Sequence, residues 1–280
     1  MKINRLNAVS AFLLAATLRA ALAFAIIPQT RSIAASRAMG AKPANKPTIV
    51  LVHGAFAGSS SWNGVVTRLL AQGYPVIAAA NPLRGLRSDA EVVAAVFQSV
   101  HGPIVAVGHS YGGSVITNAA VGNPNVKAFV YVAALAPEAG ESAVDLSGRF
   151  PGSTLGPTLA LPVALPGGGK DLYIRQDKFH AQFAADVPEA ETELMAATQR
   201  PVTEAALNEP SGSATWKTIP SWFIFGSLDK NIPEAAHSFM AHRANAKNIV
   251  DVKGASHVVM VSHPDAVVAL IRKAAESVTE

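Results

Sequence analysis

The 280-residue chain has no cysteine. That excludes a thiolate nucleophile, disulfides, thiolate metal sites and a lipid-modified cysteine. It leaves the redox compartment open. Charge is sparse too: Asp, Glu, Lys and Arg make up 15% of the chain, whereas half is hydrophobic. Such a chain is not a disordered polyelectrolyte, and it is long enough to bury one substantial core. No internal repeat marks a solenoid or propeller.

Acidic residues are missing altogether from residues 1–40, which carry Lys2, Arg5, Arg19, Arg31 and Arg37. Without this segment the formal charge falls from +4 to −1. The basic balance is therefore a property of the leader, and no nucleic-acid partner is expected from it. A basic start, apolar runs over residues 8–18 and 20–27, and Ala-x-Ala sites at Ala21, Ala23 and Ala25 resemble a secretory signal peptide. Arg19 interrupts the run of ~20 apolar residues that a membrane span needs. There is no twin arginine, which favours the general secretion route. The expectation is a leader and linker over residues 1–40, and an exported, periplasmic or secreted domain over residues 41–280. Once the leader is removed, no stable membrane span is expected. Cytoplasmic residence is the alternative.

From residue 48 onward, short β-branched runs alternate with amphipathic stretches. Strands are expected over residues 48–52, 76–80, 104–107, 126–135, 221–225 and 248–252. Helices are expected over residues 62–72, capped from Ser59 to Ser61, and from Ser88 and Asp89 through Val100. The second of these shows Val92, Val93, Val96, Phe97 and Val100 on one face. Further helices fit residues 114–120, 233–244 and 264–278. This alternation predicts an α/β fold, a mostly parallel sheet with helices on both faces. Ligands in such sheets bind outside the carboxyl ends of the strands.

Between residues 137 and 216 the alternation stops. Residues 151–169 are rich in proline and glycine and read as loop, followed by short helices over residues 171–185, 188–198 and 203–208. This segment is expected to be a cap inserted in the one domain and lying over the site. Phe56, Tyr173, Phe179 and Phe183 are the candidate substrate-pocket side chains.

The chemistry is carried by residues 108–112, Gly-His-Ser-Tyr-Gly, a G-x-S-x-G match between a strand and a helix. That context presents Ser110 on a tight turn at a strand end, where flanking glycines remove collisions. A serine hydroxyl needs a base, and the base needs an orienting carboxylate. Asp229 and His257 each follow a strand, and the chain order Ser110, Asp229, His257 is that of an α/β-hydrolase. The backbone N–H groups of Ala55 and Tyr111 are the candidate oxyanion donors. His53 is expected to brace its loop and His109 to pack beneath the turn. His101, His180, His237, His242 and His263 are expected at the surface or in the cap. No metal-ligand spacing and no nucleotide-binding glycine fingerprint is present.

Residues 51–62 (LVHGAFAGSSSW), 107–113 (VGHSYGG), 226–233 (GSLDKNIP) and 254–264 (GASHVVMVSHP) resemble the α/β-hydrolase superfamily. More narrowly, they are similar to the branch holding plant methylesterases, hydroxynitrile lyases and bacterial esterases. The resemblance implies the α/β-hydrolase fold, Ser110 as nucleophile, His257 as base, Asp229 as orienter, Ala55 and Tyr111 as oxyanion donors, and no cofactor. In the lyases a lysine follows the catalytic histidine; here that position is Val258. The expected activity is hydrolysis of small carboxylic esters through an acyl-enzyme. Lactonase, amidase or perhydrolase chemistry on the same residues, or a ligand-binding receptor on the same fold, are the alternatives.

Overall fold

The computed structural model describes residues 46–279. The expected leader over residues 1–40 lies outside the described residues. β1 (Thr48–Val52) is an apolar strand, and a 3-10 turn leads from it into α1 (Asn63–Ala71). The serines do not cap this helix: Ser59 Oγ donates to the Ala79 carbonyl and Ser61 Oγ to that of Gly58. β2 (Val76–Ala79) and α2 (Leu86–Gln98) follow. α2 begins before Ser88 because Gly85, in extended conformation, takes the N-cap position, and Ser88 Oγ bonds back to the Gly85 carbonyl. Its buried stripe is Leu86, Asp89, Ala90, Val93 and Phe97, while Val92 is exposed.

β3 (Ile104–His109), α3 (Tyr111–Ala119) and β4 (Val126–Val132) complete the first half. β4 stops short of residue 135 because Ala133 turns to a φ of 44°. Then come α4 (Ala143–Gly148), β5 (Val163–Ala164), β6 (Lys170–Leu172), α5 (Gln176–Phe183), α6 (Glu189–Thr198), β7 (Val202–Thr203) and α7 (Glu204–Asn208). β5, β6 and β7 pair antiparallel in a small sheet of their own. Residues 171–174, expected as the start of a helix, are thus extended, drawn into pairing with β5, β7 and Leu159. The chain returns through β8 (Ser221–Gly226), α8 (Glu234–Arg243), β9 (Asn248–Val252), α9 (Val259–Ser262) and α10 (Pro264–Thr279).

The main sheet has six strands in the order β2-β1-β3-β4-β8-β9, every pair parallel. α1 packs against α10 and α2 against α3, one pair on each face. Cover on both faces explains why the central strands β3 and β8 are buried from end to end, whereas the edge strand β9 carries Asn248 and Asp251. The order of strands reverses between β1 and β3, and such a reversal opens a crevice at the carboxyl ends. Val52 pairs with Gly108, which sets the loop after β1 against the turn after β3.

That turn requires glycine. A Cβ on Gly108 would lie 2.7 Å from the Gly112 carbonyl oxygen, and one on Gly112 2.4 Å from that of Val52. Among the described residues no helix is long and apolar enough to cross a membrane.

Candidate active site

Ser110 separates β3 from α3 with φ 54° and ψ −127°. A non-glycine residue persists in such a conformation only where its surroundings impose it. Here the Ser110 carbonyl accepts the Gly113 and Leu135 N–H groups at 3.0 and 3.1 Å, and its own N–H donates to Val132 at 3.3 Å. Close approach of the neighbouring loop does the rest. A Cβ on Gly54 would sit 2.5 Å from Ser110 Cβ, so the bare Gly54 backbone lets Ala55 come beside the serine.

Asp229 lies in the loop after β8, and His257 in the loop after β9. His257 Nδ1 donates to Asp229 Oδ2 at 2.6 Å. This bond puts the proton on Nδ1 and leaves the Nε2 lone pair free. Nε2 has no hydrogen-bond partner among the described residues, and His257 borders the same cavity as Ser110. Asp229 is fully engaged. Oδ1 accepts the N–H groups of Asn231 and Ile232 at 2.8 and 3.0 Å. Oδ2 accepts, besides His257, a second imidazole, His237 Nε2, at 3.1 Å. Burial disfavours the ionised carboxyl, but the imidazoles of His257 and His237 outweigh it and hold the pKa below the ordinary carboxylate range.

His237 is a correction to the expected surface position. It is buried, with its ring stacked on Phe225 at 4.9 Å between centroids. The signal that reveals it is helical phase: α8 starts right after the acid loop, and one turn in, residue 237 faces back to Asp229. His53 does brace its loop. Its Nδ1 donates to the Gly54 carbonyl at 3.0 Å and its Nε2 accepts the Asn81 N–H at 3.1 Å. Burial lowers its pKa from 6.5 to about 4. His109 is buried with its ring 4.8 Å from that of His257, and its Nε2 donates to the His257 carbonyl at 3.2 Å. Burial, and then the neighbouring His257, push its imidazole far toward the neutral form.

One further side chain, Asp89, steadies the residue after the serine. Tyr111 Oη donates to Asp89 Oδ2 at 2.9 Å, and the Arg84 N–H donates to the same carboxylate. Asp89, expected to open a helix, is instead a buried acceptor whose pKa is raised by burial. In the loop after β1 the Phe56 N–H is taken by the Arg200 carbonyl at 3.0 Å. The Ala55 and Tyr111 N–H groups meet no backbone carbonyl among the described residues.

A cavity of about 80 Å³ opens over Ser110 and His257. Phe56, Leu135, Leu155, Phe183 and Ile232 give it an apolar wall, and no Lys, Arg, Asp or Glu borders it. Of the four side chains expected there, Phe56 and Phe183 line it. Phe179 lies behind Phe183, ring centroids 4.9 Å apart, and Tyr173 sits by the small sheet with its carbonyl on the Ala160 N–H. The late start of α5 accounts for Tyr173, which lies before the helix. Phe179 and Phe183 share one helical face, and the second is a turn nearer the serine. Lys230 turns to the Ala181 carbonyl at 2.9 Å, away from the cavity. Asp251 stays in β9, paired with Lys253. Among the described residues no cluster of three or more His, Cys, Asp or Glu offers a metal site.

A doubly covered parallel sheet with a strained serine at its reversal point defines a class, and the sequence agrees. Residues 49–270 match the alpha/beta hydrolase family, and the chain belongs to it. Alpha/beta hydrolase nvfD of Aspergillus novofumigatus (strain IBT 16806) is 27% identical over 255 residues, 84% of this chain and 99% of that protein. The fold is similar to polyneuridine aldehyde esterase, with TM-score 0.71 at 20% identity over 81% of this chain and 98% of that one. It is also similar to the methylesterase MES16 from Arabidopsis, with TM-score 0.66 at 17% identity over 82% of this chain and 99% of that one.

Proposed function

We propose that the protein is a cofactor-independent serine hydrolase of small, uncharged carboxylic esters. The observation that carries this reading is the Asp229–His257 bond, which leaves His257 Nε2 unpartnered in the cavity that Ser110 borders. In this reading Nε2 takes the Ser110 proton as Oγ adds to the ester carbonyl. Asp229 stabilises the imidazolium that forms, and the Ala55 and Tyr111 N–H groups receive the oxyanion. The imidazolium returns its proton to the departing alkoxide, leaving an acyl-Ser110. Water, deprotonated by the same imidazole, then adds to the acyl carbon, and the imidazolium returns that proton to Ser110 Oγ as the acid leaves. Residues 137–216 act as the cap: Leu155 and Phe183 from this segment help enclose the cavity and thin the water over the acyl-enzyme. The esterase names of similar structures favour the same chemistry.

Val258, fully buried, offers no ammonium to a departing cyanide, so ester hydrolysis is favoured over cyanohydrin cleavage. The test uses phenyl acetate and mandelonitrile side by side on purified protein. Catalytic turnover of the ester and negligible cyanide release are expected. Ser110→Ala should lower kcat on the order of 10⁴–10⁶-fold while the protein stays folded. Retained turnover in Ser110→Ala, or consumption of the protein after a single equivalent of ester, would overturn the reading.

A further inference from the structure

One polar chain beside the nucleophile has the direction of each amide fixed by its neighbours. Gln182 of α5 is buried, and its Nε2 lies 2.9 Å from the Lys230 carbonyl. A carbonyl accepts and never donates, so the amino end of Gln182 must face it. The second hydrogen on that nitrogen goes to the Asn231 side-chain oxygen at 2.7 Å. Gln182 Oε1 accepts from Thr154 Oγ1 at 2.8 Å, which closes its valences on the other side. Asn231 therefore turns its oxygen toward α5 and its amino group away. Asn231 is itself 4% exposed and borders the cavity over Ser110. Among the described residues the side-chain hydrogen bond of Asn231 is the one its Oδ1 accepts, and its Nδ2 donates to no protein group. A donor beside an apolar cavity finds few acceptors in the cavity wall, so an oxygen on a bound molecule is its natural partner.

We propose that Asn231 Nδ2 donates to a second oxygen of the substrate, distinct from the ester group. The preferred ester is then an apolar frame carrying one further neutral acceptor, such as a ketone. An anionic acceptor is disfavoured: no cation borders the cavity, and the ionised Asp229 is two residues away. This deepens the serine-hydrolase reading and rests on it for the word substrate. The donor itself stands on the amide geometry. The backbone N–H of Asn231, which holds Asp229 Oδ1, survives any side-chain substitution.

The experiment measures binding, so that it does not depend on turnover. Ser110→Ala protein, labelled with ¹⁵N, is titrated with two matched pairs: methyl levulinate against methyl isocaproate, and acetonyl butyrate against isobutyl butyrate. In each pair a ketone oxygen replaces a methyl group of similar shape, once on the acyl side and once on the alcohol side. The keto ester of at least one pair should bind about tenfold tighter, as an otherwise unpaired donor gains its acceptor. It should also shift the Asn231 side-chain amide signals, assigned by their loss in Asn231→Leu. Adding Asn231→Leu should bring the affinity ratio to about one. If that variant also loosens the cap, both esters weaken together and the ratio still reads the donor. Gln182→Met, which frees the Asn231 amide to turn, should reduce the ratio part way. Equal affinities within both pairs, no binding of either keto ester, or a preference that survives Asn231→Leu would overturn the proposal. Failure of the Ser110-containing protein to hydrolyse any ester would instead count against the hydrolase reading.

Discussion

Asp229 is a carboxylate in which protein replaces water. Two backbone N–H groups hold Oδ1, and two imidazoles share Oδ2. Removing one donor from a buried charge costs about 1.5–3 kcal/mol. His237→Leu should therefore lower stability by about 2 kcal/mol, read from urea unfolding, whereas His237→Gln keeps a donor and should recover much of it. Equal losses in the two variants would show that the imidazole acts by packing alone. The acid response follows from the two buried neutral imidazoles, His53 and His109, both depressed by burial; His53 gives the window. Its folded pKa, about 4, lies below the ordinary 6.5, so the unfolded chain binds the proton first. Its contribution is complete above pH ~6.5 and is lost as pH falls toward ~4, with a slope of up to about 1.4 kcal/mol per pH unit. Asp229 adds a loss at still lower pH, since its folded pKa is also depressed. Unfolding free energy should therefore fall between pH 7 and about 4.5, and His53→Gln should make that fall shallower, with His109 carrying the remainder; an unchanged slope would exclude His53 as a source. At this scale the sequence is legible where a residue's type and its place at a strand end agree, as for Ser110, Asp229 and His257. It is silent on His237 and Asn231, whose partners come from other segments of chain.

At the scale of elements, the β3–α3 turn depends on backbones that nearly touch. Gly112→Ala would drive a methyl group to 2.4 Å from the Val52 carbonyl oxygen, and neither element can yield alone. A loss of about 3 kcal/mol and a collapse of activity are expected, measured by thermal melts and ester turnover. Gly148→Ala in α4 meets nothing within 4 Å and should change stability by less than about 1 kcal/mol. If the two variants melt alike, the close approach is not what the glycine serves. Strands buried along their whole length, such as β3 and β8, are readable because local composition alone makes them. β5, β6 and β7 are not, because two or three residues carry no period, and β6 is fixed partly by pairing with β7, some thirty residues on. The later start of α5 follows from the extended pairing of residues 170–174, which leaves Tyr173 by the small sheet.

For the whole molecule, the cavity sets the expected range of substrates. About 80 Å³ is small beside the ~300–1,000 Å³ of most ligand pockets. Nitrophenyl butyrate should give a higher kcat/KM than nitrophenyl decanoate, and the reverse order would mean that the cap opens far wider. Export is a prediction at the same scale. Protein made in its host from the full gene should begin between residues 24 and 41, and an intact Met1 on cytoplasmic protein would refute it.

Arg84 touches both parts of the fold at once. Its N–H holds Asp89, the acceptor of Tyr111 Oη, while its carbonyl accepts Thr203 Oγ1 at 2.8 Å. Its guanidinium reaches Asp171 at 2.7 Å and the Pro201 carbonyl at 2.8 Å. Across the crevice, Phe56 is bound to Arg200 and Lys230 to Ala181. The inserted segment is thus riveted to the loops that carry the site, so its melting exposes them. Heat should therefore be absorbed in one calorimetric peak, with the van't Hoff enthalpy equal to the calorimetric one.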